Sequence, residues 1–175
     1  MMITSKSHEY HHPENPPESF FHHLGLTLRP AQVSDADDIK LLTQTAFEQY
    51  IQLIRGIPRT MLTDYHQVVK NDCVWVVESH GQLIAVLVLS PRGDHYHITN
   101  IVVHPTWQRQ GLGSALLSHA EAQSQQADYG EIWLHTNEVM VDNIRLYTAI
   151  GYKEIYRLTY HGTASIYMRK SLRQA

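Results

Sequence analysis

The stretch Ile101-Val102-Val103-His104-Pro105-Thr106-Trp107-Gln108-Arg109-Gln110-Gly111-Leu112-Gly113-Ser114 changes character twice. It begins as a β-branched run, stops at a proline, crosses a polar loop and enters a helical pattern through two glycines. Unpaired N–H groups at a helix N-terminus point outward, and the helix dipole favours negative charge there. Glycine lets an anion such as a diphosphate approach the backbone closely, and Gln108 and Arg109 add side-chain donors. The stretch therefore reads as a strand, an anion cradle and the start of a helix. Glycines that open a helix for packing alone are the other reading.

Working outward, Gly111–Gln126 carries Leu112, Ala115, Leu116, His119 and Ala120 on one stripe, the periodicity of an amphipathic helix. Glu131–His135 reads as a strand and Val141–Ile150 as a short helix closed by Gly151. Tyr152–Tyr160 and Thr163–Arg169 pair around His161-Gly162. On the N-terminal side, Cys73–Glu78, Leu83–Leu89 and His95–Val103 are separated by Ser79-His80-Gly81 and Pro91-Arg92-Gly93-Asp94, the signature of an antiparallel meander. Leu83–Leu89 is nearly all apolar, so helices must cover both faces of the sheet there. Further upstream, Leu26–Arg29 is a short strand, Ser34 and Asp37 open a helix carrying Ile39, Leu42, Ala46 and Phe47, and a second helix starts near Pro58 with Leu62, Tyr65 and Val69. The sum is a mixed α/β domain with a mostly antiparallel sheet of about seven strands flanked by about four helices.

Length and composition set the frame. A chain of 175 residues suits one domain with its own core. Residues 1–24 stand apart: His8, His11, His12, His22 and His23 with Pro13, Pro16 and Pro17 bury little and break helices, giving a flexible or loosely docked arm ahead of a domain over 25–175. Its histidines lack a cysteine partner and zinc-like spacing, so no metal site is expected. The net charge of −3 argues against nucleic acid as partner. The single cysteine, Cys73, excludes an internal disulfide and points to a reducing, cytoplasmic setting; sitting among apolar residues, it reads as a small buried hydrophobe rather than a nucleophile. No apolar run is long enough to span a bilayer, and the N-terminus lacks a secretory signal pattern.

Two familiar phosphate sites fail on the residues. A Walker loop needs Gly-Lys-Ser/Thr, and Gly113 is followed by Ser114-Ala115; a dinucleotide fingerprint needs a third glycine where Leu116 stands. Val103-His104-Pro105…Gln108-x-x-Gly111-x-Gly113 instead resembles the acetyl-CoA motif of the GNAT superfamily of N-acetyltransferases. Asn143-Ile144-Arg145-Leu146-Tyr147-Thr148-Ala149-Ile150-Gly151-Tyr152 resembles that family's second signature, and the order of elements over residues 26–170 matches its fold.

The resemblance implies an enzyme that moves an acetyl group from acetyl-CoA to a primary amine by direct attack on the thioester. Gln108, Arg109, Gln110, Gly111, Leu112, Gly113 and Ser114 would form the pyrophosphate loop. The pantetheine arm would run along Ile101, Val102 and Val103, with a backbone N–H near Val102 or Val103 facing the thioester oxygen. Tyr147 matches the family's proton donor to the leaving thiolate; an ordinary helix-face residue is the bland reading of the same tyrosine. His135 and His97 lie near positions where relatives carry a base, and Glu138 is a third candidate. Met140 stands where many relatives have a pantetheine-binding asparagine; Asn137 and Asn143 lie nearby, and Asn143 is the one expected to contact the cofactor. A non-catalytic acyl-CoA sensor and a partner-binding role for the His/Pro-rich arm are the alternatives. Phe47–Asn71, with Arg55 and Arg59, is the region expected to choose the acceptor, whose identity stays open. A homodimer is the expected oligomer if one forms.

Overall fold

The computed structural model describes residues 16–54, 56–160 and 162–173. In chain order the elements are α1 (Pro16–His23), β1 (Thr27–Pro30), α2 (Ala36–Phe47), α3 (Ile51–Ile54), α4 (Arg59–Leu62), α5 (Tyr65–Asn71), β2 (Cys73–Ser79), β3 (Gln82–Arg92), β4 (His95–Val103), α6 (Leu112–Gln126), β5 (Glu131–Asn137), α7 (Val141–Ala149), β6 (Lys153–Tyr160) and β7 (Thr163–Ser171). The strands form one sheet in the order β1-β2-β3-β4-β5-β7-β6. Every pairing is antiparallel except β4 with β5. The meander and the last hairpin form where the turn residues place them.

Two apolar layers sandwich the sheet. On one face Leu87, Leu89, Ile98, Ile132 and Leu134 pack with Phe21 of α1, Leu112 and Leu116 of α6 and Tyr147 of α7. On the other, Val76, Val86, Val88 and Val102 pack with Ala36, Ile39 and Leu42 of α2 and Tyr65 of α5. β3 feeds both layers, which is why its stretch Leu83–Leu89 is apolar throughout.

Three local readings differ from the sequence. Pro16 and Pro17 do not break a helix; they open α1, where a missing N–H costs nothing. Gly25 (φ 67°) ends it, with Leu26 N donating to Phe21 O at 2.9 Å, a Schellman closure that packs Leu26 beside Phe21 in the core. The start of α2 is not the Ser34/Asp37 box. Asp35 instead accepts from Gln32 N at 2.6 Å and closes a 3-10 turn over Val33–Asp35. The expected helix from Pro58 is split into α4 and α5, because the Asp64 side chain accepts from the backbone N–H groups of His66 and Gln67 and starts a new helix. The histidines His8, His11 and His12 and Arg55 lie outside the described residues.

Candidate active site

The sheet is open at its centre. β4 and β5 pair only over Tyr96–Ile132, His97–Trp133 and Ile98–Leu134. Beyond that β4 runs on to Val103 and β5 to Asn137 without pairing to each other. The stretch of β4 that includes Ile101, Val102 and Val103 therefore has β3 on one side and the opening on the other. A bulge at Thr99 sets the faces: Asn100 pairs with Val88 but Ile98 with Leu89. Ile98 thereby faces the α6 layer, while Asn100, only two residues on, bonds to Thr43 of α2 and Tyr65 of α5.

The mouth of the opening is the anion cradle. Gln108 Nε2 donates to Val103 O at 3.0 Å and Gln110 Nε2 to Thr106 O at 3.2 Å, so both amides brace the loop. Arg109 sits at φ 62° and Gly111 at φ 85°, a tightly wound backbone of the kind found at ligand sites. No side chain caps α6, which leaves the first-turn N–H groups of Leu112, Gly113 and Ser114 without capping partners. A β-carbon at Gly111 would meet Phe20 Cζ at 3.3 Å, so α1 braces the cradle from behind. The Arg109 side chain is 89% exposed and lies 3.4 Å from Asp142 at the start of α7. That contact crosses the mouth from one wall to the other.

His97 and His135, 38 residues apart in sequence, are hydrogen-bonded Nε2 to Nδ1 at 2.8 Å. They sit at the apex of the opening, His97 one residue before the last β4–β5 pair and His135 one residue beyond it. Tyr167 stacks on His135 at 5.2 Å between ring centres, and Tyr156 stacks on Tyr167 at 4.5 Å, extending the ledge across β7 and β6. Burial, helped by the neighbouring His135 charge, pulls the His97 pKa down to about 4. Burial lowers that of His135 as well. Both rings are thus neutral at neutral pH: the ring that donates across the shared bond keeps a bare outer nitrogen able to accept a proton, and the other carries its N–H on its outer nitrogen.

Tyr147 lies on the opposite face, on α7. Tyr152 N donates to Tyr147 O at 2.9 Å in the Gly151 closure, which fixes the end of the helix that carries it. It is 5% exposed, and burial raises its pKa far above that of an ordinary phenol, so it is an O–H donor at any working pH. Tyr50 was not singled out by the sequence. Burial raises its pKa, helped by the charge of Asp142 and opposed by that of Arg109, the two residues paired across the mouth. Asn143 donates to Met140 Sδ at 3.6 Å, as does Thr136, so Met140 turns its sulfur inward and engages the nearby amide. Glu138 is occupied: it accepts from Ala164 N at 2.8 Å and lies 3.8 Å from Arg157. Its carboxylate ties α7's approach to β7 rather than facing the opening alone. Among the described residues no group of three or more His, Cys, Asp or Glu side chains is placed to hold a metal ion. Nor is any described helix long and apolar enough to cross a membrane.

A sheet opened beside an uncapped helix N-terminus offers an anion-binding mouth next to an unpaired strand edge. The chain belongs to the acetyltransferase (GNAT) family, whose family model matches residues 40–152. It is similar to the [ribosomal protein bS18]-alanine N-acetyltransferase of Escherichia coli K12, 32% identical over 75 residues, 43% of this chain and 51% of that protein. It is also similar to N-acetyltransferase family 8 member 3 of Rattus norvegicus, 24% identical over 125 residues, 65% of this chain and 53% of that one. The chain spans about half the length of these curated relatives. Among solved structures, the Escherichia coli ribosomal-protein-S18-alanine N-acetyltransferase shares the fold at TM-score 0.68 and 22% identity, covering 86% of this chain and 96% of that one. The PaiA N-acetyltransferase of Thermoplasma acidophilum, solved with coenzyme A, shares it at TM-score 0.69 and 12% identity, covering 83% and 98%.

Proposed function

We propose that this enzyme moves the acetyl group of acetyl-CoA to a primary amine inside the β4–β5 opening. The observation that carries this reading is the opening itself, with the uncapped start of α6 at its mouth and the neutral His97–His135 pair at its apex. The residues present fit acetyl-CoA. The N–H groups of Leu112, Gly113 and Ser114 suit a pyrophosphate, and the β4 edge along Ile101, Val102 and Val103 suits an extended amide-bearing arm. Acetyl-CoA supplies the activated acyl group as its thioester. Of the cradle side chains, Arg109 is placed to reach a phosphate, whereas Gln108 and Gln110 act through the loop.

The two faces divide the proton work. On the acceptor face, an outer nitrogen of the histidine pair takes the amine's proton, and the shared Nε2···Nδ1 bond lets the other ring release it to water. On the opposite face the Tyr147 hydroxyl, held as a phenol, donates to the departing sulfur. Cys73 is not the buried hydrophobe its apolar neighbours suggest: it opens β2 and stands as an exposed free thiol, which fits a reducing cytoplasmic setting.

The pair makes a testable signature. Because His97 titrates near 4 in the folded protein and about 6.5 unfolded, the unfolded chain takes up the proton first as pH falls. Stability is therefore lost as pH drops from about 6.5 towards 4 and is unaffected above that window. His97→Gln keeps a partner for His135 but cannot titrate. It is expected to flatten this acid-side fall in Tm and to lower kcat/KM for amine acetylation about 10²-fold. Parallel Tm-against-pH curves for the two proteins, or unchanged kcat/KM, would remove the pair from the mechanism.

The mouth gives a second signature. Asp142 competes with phosphate for Arg109 and repels it. Asp142→Asn is expected to tighten acetyl-CoA severalfold at low salt and Arg109→Ala to weaken it severalfold, with both effects shrinking as ionic strength rises. Calorimetric titration with acetyl-CoA reads both.

A further inference from the structure

A small cavity of about 200 Å³ lies beneath α4 and α5. Thr60, Tyr65, Val88, Ser90, Thr99 and Asn100 are among the residues that line it. Ser90 is the β3 partner of His97, and its hydroxyl lies 3.3 Å from that of Thr99, so the cavity adjoins the histidine pair.

Two of the residues that line this cavity each carry a buried side-chain oxygen with no partner among the described residues, Asn100 Oδ1 and Thr60 Oγ1. Asn100 is 6% exposed. Its amide nitrogen donates to Tyr65 Oη at 2.8 Å and to Thr43 Oγ1 at 3.3 Å. Tyr65 in turn spends its proton on Thr60 O at 2.9 Å, so its oxygen can only accept from Asn100. That chain of bonds fixes the amide orientation and leaves Oδ1 as the atom without a donor. A buried acceptor and a buried hydroxyl left unpaired are costly to the fold, and a ligand that bonds to them removes that cost.

The lining also says what kind of group fits. The walls are hydroxyls, one amide and valines, and burial keeps the Tyr65 phenol protonated. None of the lining side chains carries a charge at neutral pH. An ammonium or a carboxylate entering it would lose its water and meet no counter-charge. The volume lies below the range of about 300–1,000 Å³ that holds a drug-sized ligand, so it suits one side-chain-sized group.

We propose that this cavity is a specificity subsite for the acceptor amine, taking a neutral group that both donates and accepts a hydrogen bond, a carboxamide or a hydroxyl. Asn100 Oδ1 accepts from it and the Thr60 hydroxyl makes the second bond. The assignment of that group to the acceptor rests on the acetyltransferase reading above; the binding of the group does not.

Acetamide, acetate and methylammonium, titrated separately into the full chain while the Asn100 side-chain amide resonance is followed, test it without any turnover. Acetamide is expected to shift that resonance saturably, and the two ions are not. Thr60→Val is expected to weaken acetamide at least severalfold while holding Tm at or above the wild-type value, since it removes an unpartnered buried hydroxyl. No saturable shift with acetamide leaves the cavity to water and overturns the subsite. So does an equal response to either ion, or unchanged acetamide affinity in Thr60→Val. Acetamide binding as described in a protein that fails to bind acetyl-CoA would instead sink the acetyltransferase reading and leave a neutral-group site.

Discussion

Replacing Tyr147 by Phe is expected to lower kcat for amine acetylation by about 10²–10³-fold, the range of a lost general acid, with little change in KM for acetyl-CoA. The ring contributes to the core around Leu112 and Leu116, and phenylalanine retains it. The hydroxyl alone is removed, so Tm should change little. This split separates two roles that burial alone leaves entangled. A tyrosine that merely packs would give a modest stability change and an unaltered kcat. A donor to the leaving thiolate gives the reverse, because its bond to the sulfur matters only as the carbon–sulfur bond breaks. Steady-state rates and melting curves on the same two proteins decide it; a kcat within twofold of wild type removes Tyr147 from the chemistry.

The second large effect concerns stability and lies far from the sequence motifs. Phe21→Ala is expected to cost about 3–5 kcal/mol, as for other fully buried aromatic truncations. Phe21 is 1% exposed and belongs to the same apolar layer as Leu112 and Leu116 of α6. At about 2–4 °C per kcal/mol for a domain of this size, Tm should fall by roughly 6–20 °C. Deleting residues 1–24 removes the same side chain, so truncation is expected to destabilise the domain rather than merely release an independent arm. Phe20 adds a functional readout: with its ring behind Gly111, Phe20→Ala is expected to loosen the cradle and weaken acetyl-CoA binding more than it lowers Tm. A Phe21→Ala protein melting within a degree or two of wild type would place α1 outside the fold's core.

The same contrast explains what the sequence could and could not show. The strands, the long helix after Gly111 and the closure at Gly151 were legible because local periodicity and glycine chemistry decide them. α1 was not, since its prolines signal a break everywhere except in a first turn; the Phe20-Phe21 pair suggests packing on the domain or on a partner chain, and the contact of Phe21 with Leu112 and Leu116 decides for the domain. The long helix expected after Pro58 failed for a similar reason: one aspartate, Asp64, caps a new helix where apolar spacing alone runs on. For the site, the cradle was readable as a motif. The histidine bond was not, because it depends on the parallel register of two strands separated by α6. Asn100 was hidden by the Thr99 bulge, which reverses the alternation by which an observer would assign it to the opposite face. Tyr50 lies in the segment expected to meet the acceptor, but nothing local distinguishes it from the tyrosines around it.

Release of free thiol from acetyl-CoA, followed across a panel of primary amines with mass spectrometry of the products, tests the central claim most directly. The account predicts amine-dependent release, an amine heavier by one acetyl group, and a rate that falls in both His97→Gln and Tyr147→Phe. Acetyl-CoA bound at Leu112–Ser114 with no thiol released above the protein-free rate for any amine would contradict it, and would make this opening a sensor of acyl-CoA rather than a catalyst.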